Sequence, residues 1–302
     1  MRVFVTGGTG AIGRPAVTAL VKAGHTVSAL ARTADRAAWL EGRGARAVAV
    51  SLYDREGLAL AFAGHDAVVN LASAMPPTTR FVLPSAWAET QRIRTEGSAA
   101  VVDAALDAGV VRVVQESVVM LYPDRGAEWI DEDVPLDRYP LAQGNLAAEA
   151  SARRFTAAGG DGVVLRLGWF HGPGAAHSEQ MLALARRGVA TTIGAPDGFV
   201  SSIHVADGGT AVVAALRVPA GAWNVVDDEP LTRRAFADAL GAAVGVTPRL
   251  RVPGRAALLL GHRTTSLTRS LRVSNRRFRA ATQWAPRFPS AREGLEATVR
   301  AL

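Results

Sequence analysis

Cysteine is absent from the chain, and lysine occurs once, at Lys22. The first absence excludes disulfides, thiolate nucleophiles and cysteine-ligated metal centres together. The second leaves a single ammonium side chain, so composition excludes any mechanism that needs a lysine elsewhere. No apolar run approaches the roughly 18 residues of a membrane span. No basic-then-apolar leader precedes "MRVFVTGG", which runs straight into a strand and a glycine turn. These features predict a soluble cytoplasmic protein that meets no membrane. A Gly-x-Ser-x-Gly hydrolase elbow is missing too. His171 and His177 have no acidic or cysteine cluster beside them, so no metal is expected.

What is present is apolar and basic. With 302 residues and 49% hydrophobic content, the chain can bury one large domain or two. The formal net charge is +7, and almost all the basic side is arginine. Arg249–Arg279 holds many arginines and no acid. No zinc-finger spacing, recognition-helix pattern or RNP-like strand accompanies it. Nucleic acid is therefore not expected as a partner; a solvated face or an anionic ligand fits better.

Short apolar runs alternate with longer helical stretches. Residues 2–6, 26–31, 46–51, 67–72, 111–117 and 162–167 read as buried strands. Helical spacing fills 14–24, 54–64, 95–109 and 145–159. This alternation predicts an α/β fold, a doubly wound parallel sheet of Rossmann type, with ligands at the carboxyl ends of its strands. The rhythm breaks after Leu167. Residues 1–172 are expected to form the dinucleotide-binding domain, with 198–228 returning to it. Residues 173–302 are assigned mainly to a smaller substrate-binding region.

"VTGGTGAIG" places Gly7, Gly10 and Gly13 between the first strand and the first helix. Gly7 permits a tight turn, Gly10 a close approach to a pyrophosphate, and Gly13 close packing of the helix. Free helix amides then face the phosphates. This context predicts a bound dinucleotide, held along Thr9, Ala11 and Ile12 as well. NAD-preferring sites place an acid at the end of the second strand. Here Ala31 takes that place and Arg32 follows. A guanidinium fork suits a phosphate dianion, so NADPH/NADP is expected, with Thr33 and Arg36 adding contacts to the 2′-phosphate.

The Gly-x-x-Gly-x-x-Gly spacing after Thr-Gly resembles the extended and atypical short-chain dehydrogenase/reductases, the epimerase-like branch. "VVNLAS", "RLGWFHGPG", "SSIHVADGGTAVVAAL" and "SNRRFRAATQWAPRFPSAREGL" resemble further motifs of that family along nearly the whole chain. The resemblance implies cofactor contacts from Leu71, Ala72 and Ser73, and from Ser51 and Leu52, where the family has Asp-Leu. It implies that His171, in place of a usual tyrosine, faces the substrate; Trp169 and Phe170 begin the substrate wall of the cleft or else belong to the core.

The same resemblance makes the missing lysine conspicuous. In the family a Ser or Thr, a Tyr and a Lys move the proton, and a helix Asn supports them. Flanking anchors put Val118, Leu141, Asn145 and Arg94 in those four positions. Every one departs. Asn145 is still expected to bond a ribose hydroxyl. Ser117, next to Val118, and Tyr139, two residues before Leu141 at the entry of a helix, remain as candidate proton donors; Tyr122 is a weaker one. Hydride transfer rests chiefly on the cofactor, so a ketone can still be reduced if substrate or water supplies the proton. The leading expectation is an NADPH-dependent ketoreductase acting on a bulky, aromatic polyketide metabolite of antibiotic biosynthesis. A silent NADP(H)-binding sensor and a cofactor-retaining epimerase or isomerase stay open beside it. So does the oligomeric state, since the small residues of 140–157 suit either a dimer or a monomer.

Overall fold

Seven short segments rich in valine and leucine form one parallel sheet. They are β1 (Arg2–Thr6), β2 (Thr26–Leu30), β3 (Arg46–Val48), β4 (Ala67–Asn70), β5 (Arg112–Val118), β6 (Asp161–Leu167) and β7 (Gly221–Val225). The computed structural model describes residues 1–190, 193–248, 250–251 and 254–302. The strand order is β7-β6-β5-β4-β1-β2-β3, and every neighbouring pair is parallel. The chain leaves β1 toward β2 and β3, then crosses back to β4 on the other side. That reversal opens a crevice at the carboxyl ends of β1 and β4, where ligands of such sheets bind.

Helices cover both faces because each carries one apolar stripe. α1 (Gly13–Lys22) buries Ala16, Val17 and Leu20, which recur at helical spacing. It packs with Val205–Ala215 on one face, over a core that includes Val5, Leu165 and Trp223. On the other face α3 (Arg55–Phe62), α4 (Ser98–Asp107) and α5 (Gln143–Ala157) cover Phe4, Phe62, Val113 and Phe155. α2 (Ala34–Glu41) was not legible as a helix in "ARTADRAAWLEG". Only one of its residues is buried, and its start is fixed by the Thr33 hydroxyl accepting from the Arg36 amide.

Beyond β6 the chain builds a smaller unit of short strands and helices, then returns to the sheet through Val205–Ala215 and β7. Leu182, Phe236, Leu240 and Leu295 form this unit's own core. The two late signature segments meet there. Asp207 accepts from the amides of Arg287 (2.9 Å) and Phe288 (3.1 Å), and Trp284 Nε1 donates to Thr210 Oγ1 (3.0 Å). Several arginines of the basic stretch are spent internally: Arg269 pairs with Asp137, Arg277 with Asp133 and Arg279 with Asp228. Arg249 lies outside the described residues. No helix among the described residues is long and apolar enough to cross a membrane.

Candidate active site

The glycine loop has a steric explanation at two positions. Gly7 has φ +68°, and a Cβ there would lie 2.3 Å from the Leu71 carbonyl oxygen. A Cβ on Gly13 would lie 2.0 Å from the carbonyl oxygen of Gly7. Gly13 therefore serves the loop's own close fold-back, not the helix–sheet packing expected of it. The outcome is a bare loop against the first turn of α1, which no side chain caps. Such a turn leaves amides free for an anion.

This loop borders a cavity of about 630 Å³ that runs across the carboxyl ends of β1, β4 and β5. Gly7, Thr9, Gly10, Ala11, Ile12 and Gly13 line its floor; Leu71, Ala72 and Ser73 line the β4 side. At the far end stand Arg32, Arg36, Ser51 and Leu52. Tyr53, which the sequence reading did not single out, joins them, with Arg92 stacked 4.2 Å from its ring centre. Thr33 is not in the wall, because its hydroxyl caps α2.

At the opposite end the proton donors expected from sequence are misplaced. Ser117 is fully buried and donates to Glu149 Oε1 (2.8 Å), away from the cavity. Tyr139 donates to the Met120 carbonyl (2.9 Å), its ring lies under the Arg269 guanidinium, and burial pushes its pKa up to about 12. Neither lines the cleft. Tyr122 is also fully enclosed, bonded to Asn224 and Arg166, and is likewise raised to about 12 by burial. His171, expected at the substrate, is buried against Gly294 and the His204 ring. These four assignments are corrected accordingly. Trp169 and Phe170 do line the cleft.

Strand geometry supplies the reason for the first correction. Successive side chains alternate faces, so Glu116 and Val118 share the cleft side of β5 while Ser117 faces α5. Glu116 was overlooked. Its carboxylate is buried and paired with Arg94 at 3.0 Å. Burial pushes the Glu116 pKa up, against the opposing pull of Arg94. Arg94 also donates to Ser73 Oγ (3.4 Å) and to Asn145 Oδ1. Asn145 thus lies behind Arg94 and not in the cavity wall. Arg94 belongs to a π-helical turn, Ile93–Gly97, a distortion that recurs at functional sites. Gly144 lets α5 approach it: a Cβ there would lie 3.1 Å from Arg94 Cβ.

Past this pair the cleft continues into a second, largely apolar chamber of about 380 Å³. Thr78, Phe81, Met120, Trp169, His177 and Gln180 border both cavities. His177 Nε2 lies 2.5 Å from the Phe170 carbonyl, so that nitrogen carries the proton and Nδ1 is an acceptor. Burial lowers its pKa. Thr78 and Phe81 come from the proline-rich segment after β4.

A profile of the NAD dependent epimerase/dehydratase family matches residues 3–225. The chain is 36% identical to a 3-diazoavenalumate denitrifying reductase from a Streptomyces species, over 98% of this chain and 99% of that protein. It is 31% identical to a 4-hydroxy-2-methyl-3-oxo-4-farnesyl-3,4-dihydroquinoline-1-oxide ketoreductase from Stigmatella aurantiaca, over 90% of this chain and 82% of that one. Human epimerase family protein SDR39U1 (isoform 2), solved with NADPH, superposes with a TM-score of 0.81 at 26% identity, over the whole of both chains.

Proposed function

The chain belongs to the NAD dependent epimerase/dehydratase family, and from that membership we propose that it is an NADPH-dependent reductase, a ketoreductase of a bulky aromatic secondary metabolite. One observation carries the reading. A single cleft runs from the glycine loop, past the Arg94–Glu116 pair, into an apolar chamber large enough for fused rings. The two relatives named above, a denitrifying reductase and a ketoreductase, support reduction over epimerisation.

The residues present fit a dinucleotide, since the bare glycine loop and the uncapped first turn of α1 face the cavity. The glycine loop and α1 would hold the pyrophosphate, and Arg32 and Arg36 the 2′-phosphate. When bound, the reduced nicotinamide supplies the hydride. This chain's own residues do the rest. Trp169, Phe81 and Met120 exclude water and orient the aromatic body. Arg94 fixes a positive charge at the reacting end, the service a lysine performs in relatives. Glu116, whose burial favours its protonated form, passes its proton to the carbonyl oxygen. The carboxylate left behind is held by Arg94 and takes a proton from water.

A second reading is favoured by the Streptomyces relative, a denitrifying reductase 36% identical to this chain. It is reductive loss of dinitrogen from an aromatic diazo compound. An arenediazonium ion that gains a hydride and loses dinitrogen becomes the arene with no proton taken up. Such a substrate would make the absent tyrosine and lysine unnecessary. Incubation with NADPH and two panels, hydroxylated aromatic ketones and ortho-diazophenols, separates the possibilities by product mass. Alcohol formed in step with NADPH consumption supports the first reading, and arene with dinitrogen the second. NADPH binding with no product from either panel would overturn both in favour of a sensor.

A further inference from the structure

Two guanidinium groups border the apolar chamber, and they differ in how their charge is balanced. Arg269 pairs with Asp137 and also donates to the Tyr122 carbonyl (2.8 Å). Arg233 is 6% exposed and has no carboxylate within ion-pair distance among the described residues. Its Nη2 donates to the carbonyls of Leu267 (2.8 Å) and Arg269 (2.7 Å), while Nη1 is buried with no partner. The carboxylate that acts on it from a distance, Asp124, is occupied by the amides of Gly126 and Ser270, at 2.9 Å each.

The location makes the imbalance worse. Arg233 is the first residue of the helix Arg233–Ala243, and no acid occupies that helix's first turn. A cation at a helix N-terminus faces the positive end of the helix dipole. The first amides do not recruit an anion instead: Arg233 N and Arg234 N donate to the carbonyls of Gly198 and Pro196, at 2.9 Å each. Gly198 keeps room for the guanidinium, since a Cβ there would lie 2.4 Å from Nη1. Desolvation pulls the Arg233 pKa down to about 10. The two carbonyl contacts would be served by a neutral donor, so they account for Nη2 and not for the charge. Burying an unpaired charge is costly, and an anion from outside the chain would relieve that cost.

We propose that Arg233 is an anion-recognition residue of the substrate chamber, and that the chamber takes an aromatic body carrying a carboxylate or a comparable anionic group. This deepens the reading of the chamber as the substrate end of the cleft. It can be tested by binding alone, so a failure to find turnover leaves the test standing.

The experiment is calorimetric titration of the NADP⁺-saturated protein with 2-naphthoate and, separately, with its methyl ester. The wild type should bind the acid about tenfold to a hundredfold more tightly than the ester, the range for a charge-assisted contact. Arg233→Gln should erase that preference while leaving the ester's affinity in place. Arg233→Lys should keep a reduced preference, and it carries the test if the glutamine variant melts before assay temperature. A purely structural clasp predicts equal losses for acid and ester. Equal binding of the two by the wild type, binding of neither, or a full preference surviving in Arg233→Gln would each overturn the assignment.

Discussion

Arg94 Nη2 lies 3.0 Å from Glu116 Oε1, and both side chains are nearly closed to water. The pair stands where β5 and the π-helical turn before α4 meet the cleft. Asn145, at the position the family resemblance gives to lysine, accepts a hydrogen bond from the same guanidinium. The charge missing from α5 is therefore present in space, delivered by the preceding helix.

If Glu116 delivers the proton, the rate must follow its protonated form. Burial is the larger influence and raises its pKa. The active form is thus complete at low pH and is lost as pH rises through the raised value. Glu116→Gln should lower kcat about a hundredfold or more, the usual scale for a general acid, and should flatten that alkaline fall. NADPH affinity should stay within a few-fold. A variant with wild-type kcat would return the proton to the substrate's own hydroxyl or to water. The same shift bears on stability. A carboxyl raised in the folded state contributes fully below its unfolded pKa and loses that contribution as pH rises through the folded one.

Ser117→Ala and Tyr139→Phe should leave kcat unchanged and cost stability instead. Each removes one hydrogen bond, to Glu149 and to the Met120 carbonyl respectively. The expected loss is about 1 kcal/mol apiece, read as a shift in the urea midpoint. A tenfold fall in kcat for either variant would restore it to the proton path.

Arg32→Ala tests the nucleotide preference. Arg32 and Arg36 line the end of the cavity where β2 carries no acid. The dissociation constant for NADPH should rise about tenfold to a hundredfold, as for loss of a charge-assisted contact, and that for NADH by little. Equal losses for both nucleotides would show that Arg32 acts on the loop and not on the phosphate.

The contrast among these residues shows what was legible beforehand. The six early strands and the glycine turn follow from local pattern, because an apolar run and a positive φ are properties of a few neighbouring residues. The proton donors were not legible, because facing is decided by the parity of a strand. Flanking anchors point to Val118 and its neighbour Ser117. One step along β5 turns a side chain from cleft to helix, and two steps reach Glu116. Tyr139 failed for another reason: its helix entry was found, but its ring was drawn under Arg269, 130 residues away in sequence. Arg94 was noticed as a departure from asparagine, yet nothing local shows that its partner would come from β5.

The glutamate of "NLAAE" has a structural role. Glu149 is fully buried and accepts two bonds from Arg166, from Nε and Nη2 at 2.9 Å each. It thereby ties α5 to β6. Glu149→Leu alone strands a buried guanidinium, and Arg166→Met alone leaves the buried carboxylate only the more distant, exposed Arg153 at 3.5 Å. Each single change should cost about 3–5 kcal/mol. The double variant strands neither charge, though Ser117 and Tyr122 each lose a partner. Its loss should therefore fall well below the sum of the singles, nearer about 1–3 kcal/mol for the orphaned Ser117 hydroxyl, since Tyr122 keeps Asn224. Denaturant midpoints of the four proteins, taken as a double-mutant cycle, measure this coupling. Additive losses would mean that the pair is not the tie between helix and strand.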